Sequence, residues 1–488
     1  MHKLSNLIYA VRFHLNYLKG RVLNLSYSGP GLNKMQRKVN DAWIRRKLGT
    51  KGIFIIICFI VIALIVDTSI VRISAFTGGL RSAESSIAIF TGMALIFAVG
   101  QYVILGFIRR RNHESIAYHK LWLSVIHKAV SIVLYALIAI FGALILQMVF
   151  TSSYNVLFLE VVIWINYVLS IALLGFLSQR FLSWFKSNHN AVVLAYYIAI
   201  MMIATNAVFT LVYVTNGLIS AQRGVTIQPA IAPLASYGSV YDIINSAYFI
   251  TSILSFILTW VATVLLLRSY YRKLGRVKYW ILVSMPLVYF LSQFQLVFLD
   301  VFAPFRLSEP ILFGVVYTLF FSAAIPAGGL LFGIAFWNAA RNISSDAVKV
   351  YMMISAYGMM LLFCSNQASG LVLVPYPPFG LATISFFGLA SYLIFMGIYS
   401  SAISVAQDSE LRQSIRGFAI KDSRLLDSIG VAQMEQQIQK RVIALTKQNQ
   451  DRIREASGIE SSLTEEDMKQ YLELVLKEVG KERQRQQG

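Results

Sequence analysis

The chain has 488 residues, of which 57% are hydrophobic and 14% charged, with a formal net charge of +20 and a mean hydropathy of +0.63. Soluble domains carry about a quarter charged residues, so this composition excludes an ordinary water-soluble domain and indicates a membrane protein. The basic residues flank apolar stretches and form no aromatic-interleaved patch, which argues for a lipid bilayer as partner and against nucleic acid.

Residues 1–51 read as a basic cytoplasmic N-terminal segment. Leu4, Leu7, Ile8, Val11, Leu15 and Leu18 recur at helical spacing with Lys3, Arg12 and Lys19 on the flanks. That pattern predicts an amphipathic helix on the membrane surface or packed on the bundle. Residues 1–21 have no continuous apolar core and no small-residue cleavage site, so no secretory signal peptide is expected.

A helix needs about 20 apolar residues to cross the hydrocarbon core. Ten stretches meet this, at 52–72, 87–108, 129–150, 156–177, 191–214, 243–267, 279–299, 311–336, 350–372 and 379–403. Residues 52–406 are therefore expected to form an all-α transmembrane helical bundle of about ten spans. The third and fourth spans, separated only by Thr151 to Asn155, should form a tight hairpin. With the N-terminus inside, 39 of the 43 Lys and Arg fall in cytoplasmic segments, and only Arg72, Arg81, Arg223 and Arg306 lie elsewhere. The positive-inside rule then predicts a multi-pass plasma-membrane protein with both termini cytoplasmic. Pro375, Pro377 and Pro378 predict a rigid turn before the last span.

Residues 407–488 read as a helical cytoplasmic tail. Met434, Ile438, Val442 and Leu445 form one apolar stripe. Ser462-Leu-Thr-Glu465 is a capping-box start for a second helix, with Met468, Tyr471, Leu472, Val475 and Val479 on one face. Such stripes must pack on each other, on the bundle's cytoplasmic loops, or on another copy. A protein partner or self-association through the tail follows as an expectation.

Ionisable groups within spans are costly and point to function by default. Asp67, Glu160, Asp242 and Asp300 fall at or near the outer ends of spans, with Asn366 and Gln367 toward the outer end of the ninth. Two interpretations stand. The residues form an outward polar vestibule for a cation, a proton or a polar ligand. Alternatively, they sit at headgroup depth, solvated or paired with Arg72, Arg81 or Arg306. Glu160 is the foremost candidate, because it lies among Leu157 to Ile163 with no basic residue nearby in sequence. In the eighth span Pro326, Gly328 and Gly329 predict a kink with close helix packing, or a broken helix of the kind that lines transporter sites. The first and second halves show no matching interruptions, which counts against an inverted-repeat transporter.

No enzyme is expected. The six histidines have no zinc-ligand spacing, and there is no phosphate-binding Gly-Lys-Ser/Thr loop and no Gly-x-Ser-x-Gly elbow. Cys58 and Cys364 lie inside apolar spans and suggest neither disulfide nor metal site. No cofactor is implied. His119 and His127 read as part of an interfacial stretch before the third span.

Tyr376-Pro-Pro-Phe-Gly380, Gly397 to Val405, Asp408 to Arg416, Leu426 to Glu435 and Glu466 to Tyr471 give the last quarter a likeness to known chains. It resembles polytopic membrane proteins of ammonia-oxidising archaea. That family has no assigned activity, so the resemblance implies only an archaeal plasma-membrane setting. Two functions remain. One is an outside-to-inside sensor or membrane scaffold whose tail binds a partner. The other is a secondary transporter or channel for a cation or small polar solute.

Overall fold

A computed structural model describes residues 50–77, 83–114, 120–151, 154–221, 240–293, 303–341, 343, 345–367, 377–407 and 424–457. These residues are helical and contain no strand. The chain divides into two compact units, residues 1–56 and 57–488, and only residues 50–56 of the first are described. The expected helix near the N-terminus and the second tail helix from Ser462 lie outside the described residues.

Six long helices come first: α1 (Thr50–Thr77), α2 (Ala83–Glu114), α3 (Lys120–Thr151), α4 (Val156–Ser187), α5 (Ala191–Ala221) and α6 (Val240–Leu267). Side chains fix their ends. Asn155 accepts the Leu157 N–H at 2.9 Å and caps α4, while Asn190 accepts the Val192 N–H at 2.8 Å and caps α5. The α3–α4 hairpin is tight as expected, with the Asn155 N–H bound to Gln147 Oε1 at 3.1 Å.

A short 3₁₀ turn (Arg268–Tyr270) and α7 (Tyr271–Leu274) lead to α8 (Arg276–Ser292). Gly275 adopts φ +81 at their junction, a conformation that glycine reaches without a Cβ penalty. Then follow α9 (Ala303–Ser308), α10 (Pro310–Phe321), α11 (Ala324–Arg341), α12 (Asp346–Ser365), α13 (Leu381–Gln407) and the tail helix α14 (Arg424–Ser457).

Among the described residues, nine helices are long and apolar enough to cross a membrane: α1 to α6, α10 with α11, α12, and α13. The expected seventh span coincides with α8, which has 17 residues, and residues 294–299 of that span are not described. The expected eighth span is interrupted. Helix α10 ends at Phe321 and α11 starts at Ala324, so Pro326 is the third residue of a new helix. Pro326 has no N–H to return to Ser322, one turn back, which favours a break at that point.

Helices α12 and α13 form the core. Over an apolar stretch of 18 residues, α13 is 100% buried and α12 89% buried, against 28% for α3. Helix α13 packs on α12, α4, α2, α3 and α14. Its contact with α12 is close because two glycines face the partner backbone. A Cβ at Gly358 would lie 2.8 Å from the Ile394 nitrogen, and one at Gly397 would lie 2.5 Å from the Tyr351 carbonyl oxygen. Small residues allow this approach, and dispersion between close backbones holds helices together where lipid removes the hydrophobic drive. The outward faces carry large apolar side chains instead, such as Phe59 and Ile62 on α1 and Ile132 on α3.

Candidate functional site

The N-terminus of α13 is capped from another helix. The first N–H groups of any helix lack partners within it. Here Asp67 of α1, 1% exposed, supplies them. Its Oδ1 accepts the Gly380 N–H at 3.2 Å, and its Oδ2 accepts the Thr383 N–H at 3.3 Å and the Thr383 hydroxyl at 2.6 Å. The carboxyl group thus faces the positive end of the helix dipole and receives one short hydrogen bond, from the Thr383 hydroxyl. The turn through Pro377 and Pro378 leads into this cap, and Gly380 has φ +85, which suits a residue without Cβ.

A second polar group joins three helices. Asn366, just beyond α12, donates from Nδ2 to Asn206 Oδ1 on α5 at 2.9 Å. Asn206 Nδ2 donates to Thr251 Oγ1 on α6 at 3.1 Å and to the Tyr248 carbonyl at 3.4 Å. Tyr248 stacks on Tyr213 with centroids 4.9 Å apart. Gln367 is buried beside this group, and its Oε1 has no hydrogen-bond partner among the described residues.

Of the other acids singled out in the sequence, Glu160 is half-buried on α4 and makes no hydrogen bond or ion pair with described residues. Asp242 lies in the opening turn of α6 and its side chain is not described, while Asp300 lies outside the described residues. Among the described residues, no hydrogen bond joins Asp67 to Glu160, Asn366 or Gln367. Pro326, Gly328 and Gly329 are buried. A Cβ on Gly328 would collide with the Phe256 ring, and one on Gly329 would lie 3.1 Å from the Met360 carbonyl oxygen. These glycines are where α11 closes on α6 and α12.

Sequence reasoning missed two features. Asn206 lies in an apolar run, and that isolation was the available signal. His127 reads from the sequence as interfacial, yet its Nδ1 lies 2.7 Å from the Tyr392 hydroxyl on α13. Its long-range partner could not be read from sequence.

The other end of α13 carries the tail. Leu425, Leu426, Ile429, Ala432 and Gln433 of α14 are buried, and Gly430 contacts Val405 of α13 so closely that a Cβ there would collide. Three polar bonds fix the register on α4 and at the start of α5: Trp184 Nε1 to Gln433 Oε1 at 3.0 Å, Asn190 Nδ2 to Ser428 Oγ at 2.6 Å, and Gln436 Nε2 to Ser183 Oγ at 2.7 Å. Beyond this docked part, Ile438, Val442 and Leu445 are exposed at 40%, 36% and 59%. The docked residues precede the stripe expected from sequence, of which Met434 is half-buried and Ile438, Val442 and Leu445 are exposed.

Replacing Trp184 with phenylalanine should remove the donor and leave Gln433 Oε1 buried without a partner, a loss of about 1 kcal/mol. Amides of residues 425–436 are then expected to exchange hydrogen about fivefold faster. Unchanged exchange there would show that this bond does not hold the tail.

Among the described residues, no group of three or more His, Cys, Asp or Glu could hold a metal ion. One enclosed helix is held by a carboxyl group at its N-terminal end and by the tail at its C-terminal end. No family model, curated protein or solved structure matches the chain.

Proposed function

We propose that the chain is a plasma-membrane sensor or scaffold that carries a state from outside to inside, with both termini cytoplasmic and a tail that binds a protein partner. The observation that carries this proposal is α13 itself. It touches Asp67 at one end and α14 at the other, and all of its residues but Ser404 and Gln407 are buried. A rigid, enclosed element shared by two ends is the kind of body that can couple them. The topology draws support from the tail's location. Helix α14 docks beside residues 183–190, and the distribution of Lys and Arg assigns that segment and the tail to the same side. The exposed stripe at Ile438, Val442 and Leu445 is the surface a partner or a second copy would cover.

The test places cysteines at Asn190 and Ser428, with Cys58 and Cys364 replaced by alanine, and follows disulfide formation in vesicles. Asp67→Asn, at the opposite end of α13, should change the crosslinking rate at least threefold at temperatures where the fold is intact. An unchanged rate would remove the coupling on which the proposal rests.

The transporter alternative draws on the hydrogen-bonded chain Asn366–Asn206–Thr251, the Gln367 Oε1 that has no partner among the described residues, and the break at residues 322–323. Flux in proteoliposomes that falls with Glu160→Gln and with Asn206→Ala would favour it over the sensor.

A further inference from the structure

Helices α4 and α5 leave a groove of about 460 Å³ between them. Gly175 lies in its wall with Phe176, Leu182, Tyr197 and Met201, and Phe176 and Met201 are 47% and 48% exposed. Both helices are membrane-length and apolar, so the groove opens where lipid chains lie. Its polar lining is Ser178, Gln179 and Tyr197. Ser178 is 1% exposed, and its hydroxyl has no hydrogen-bond partner among the described residues.

That hydroxyl departs from its neighbours. On the same two helices Ser170, Ser187, Thr205 and Thr210 each donate to the carbonyl four residues back. This is the ordinary way a hydroxyl is satisfied inside a membrane helix. Ser178 is not so bonded, and a donor left unmade in hydrocarbon is unfavourable. It lies nine residues before the end of α4 at Ser187, or about 13 Å along the axis. If α4 is centred on a hydrocarbon core of about 30 Å, Ser178 sits within roughly 5 Å of the core boundary. Lipids carry the oxygens that link chain to headgroup at that depth.

We propose that this groove is a lipid-binding site. A membrane lipid lays its chain along Gly175, and an oxygen of its chain–headgroup linkage accepts a hydrogen bond from Ser178. A helix of a second copy fits the polar point less well, because its backbone carbonyls are already bonded internally. The site stands apart from the sensor proposal and uses neither Asp67 nor the tail.

The test uses the full chain in phosphatidylcholine vesicles doped with a phospholipid carrying a diazirine in its chain. Labelling of residues 171–201 should saturate with the probe. Gly175→Leu should lower it at least fivefold, because a Cβ at Gly175 meets no atom within 4 Å and the side chain can fill the groove without displacing the helix. Ser178→Ala, which leaves the packing intact, should weaken the probe's apparent affinity about fivefold, the effect of one lost hydrogen bond. Gly142→Leu on α3, also in open space, should change neither. Labelling that does not saturate, that persists in both groove variants, or that is replaced by crosslinks between two copies at residue 175 would overturn the proposal.

Discussion

Gly397→Ala is expected to cost the fold about 3 kcal/mol or more, seen as a large fall in melting temperature and loss of a monodisperse species in detergent. A Cβ there would collide with Ser355 Oγ, and it would lie 2.5 Å from the Tyr351 carbonyl oxygen and 2.7 Å from the Ser355 nitrogen. The hydroxyl could rotate away, but the two backbone atoms cannot. Overpacking in a well-packed core costs about 1–3 kcal/mol, and more where neither partner can yield. Helices α12 and α13 would have to move apart, and both are the most buried of the nine. Gly142→Ala is the control. Its Cβ meets nothing within 4 Å, so the substitution should be neutral or stabilise by up to about 1 kcal/mol through helix propensity. Equal melting of the two variants would mean that α12 and α13 are not in this contact.

Asp67→Ala should cost about 3 kcal/mol. Three donors lose their acceptor at once: the Gly380 and Thr383 N–H groups and the Thr383 hydroxyl. Each unsatisfied buried donor costs about 1–3 kcal/mol, although local relaxation reduces the sum. Asp67→Asn retains one acceptor oxygen but turns an NH₂ toward a donor, so an intermediate loss is expected. Thr383→Val removes the shortest of the three bonds. In a double-mutant cycle with Asp67→Ala, the combined loss should fall short of the sum by at least about 1 kcal/mol. Additive losses would show that the two side chains act independently, and a melting temperature unmoved by Asp67→Ala would show that the cap contributes nothing.

The apolar runs predicted the helices well, because a membrane span is written in composition over about 20 residues. The hairpin at 151–155 and the tail helix after residue 424 were legible for the same reason. Arrangement was harder to read. Nothing in the sequence names Thr383 as the partner of Asp67, since the two are 316 residues apart and only packing brings them together. The enclosure of α12 and α13 did leave a trace. They are the least apolar of the nine candidate spans, and α13 carries Ser385, Ser391, Ser400, Ser401, Gly388 and Gly397. Helices that face lipid need large aliphatic side chains, whereas a helix surrounded by protein needs small ones. The break before Pro326 fell within the stretch the sequence marked, although it begins a turn earlier because the proline leaves the preceding carbonyl without its donor.

Helix α13 follows the other eight candidate spans in chain order, yet it occupies the middle of the helices it touches. During synthesis the ribosome delivers α2, α3 and α4 first, and their inward faces then have no permanent occupant. The seat is filled only after residue 407 has emerged, and the cap at Asp67 closes across a sequence separation of 316 residues. Assembly of this protein is therefore a late event in its translation. A chain halted before residue 381 would present an open, groove-lined bundle to the quality-control proteases of the membrane.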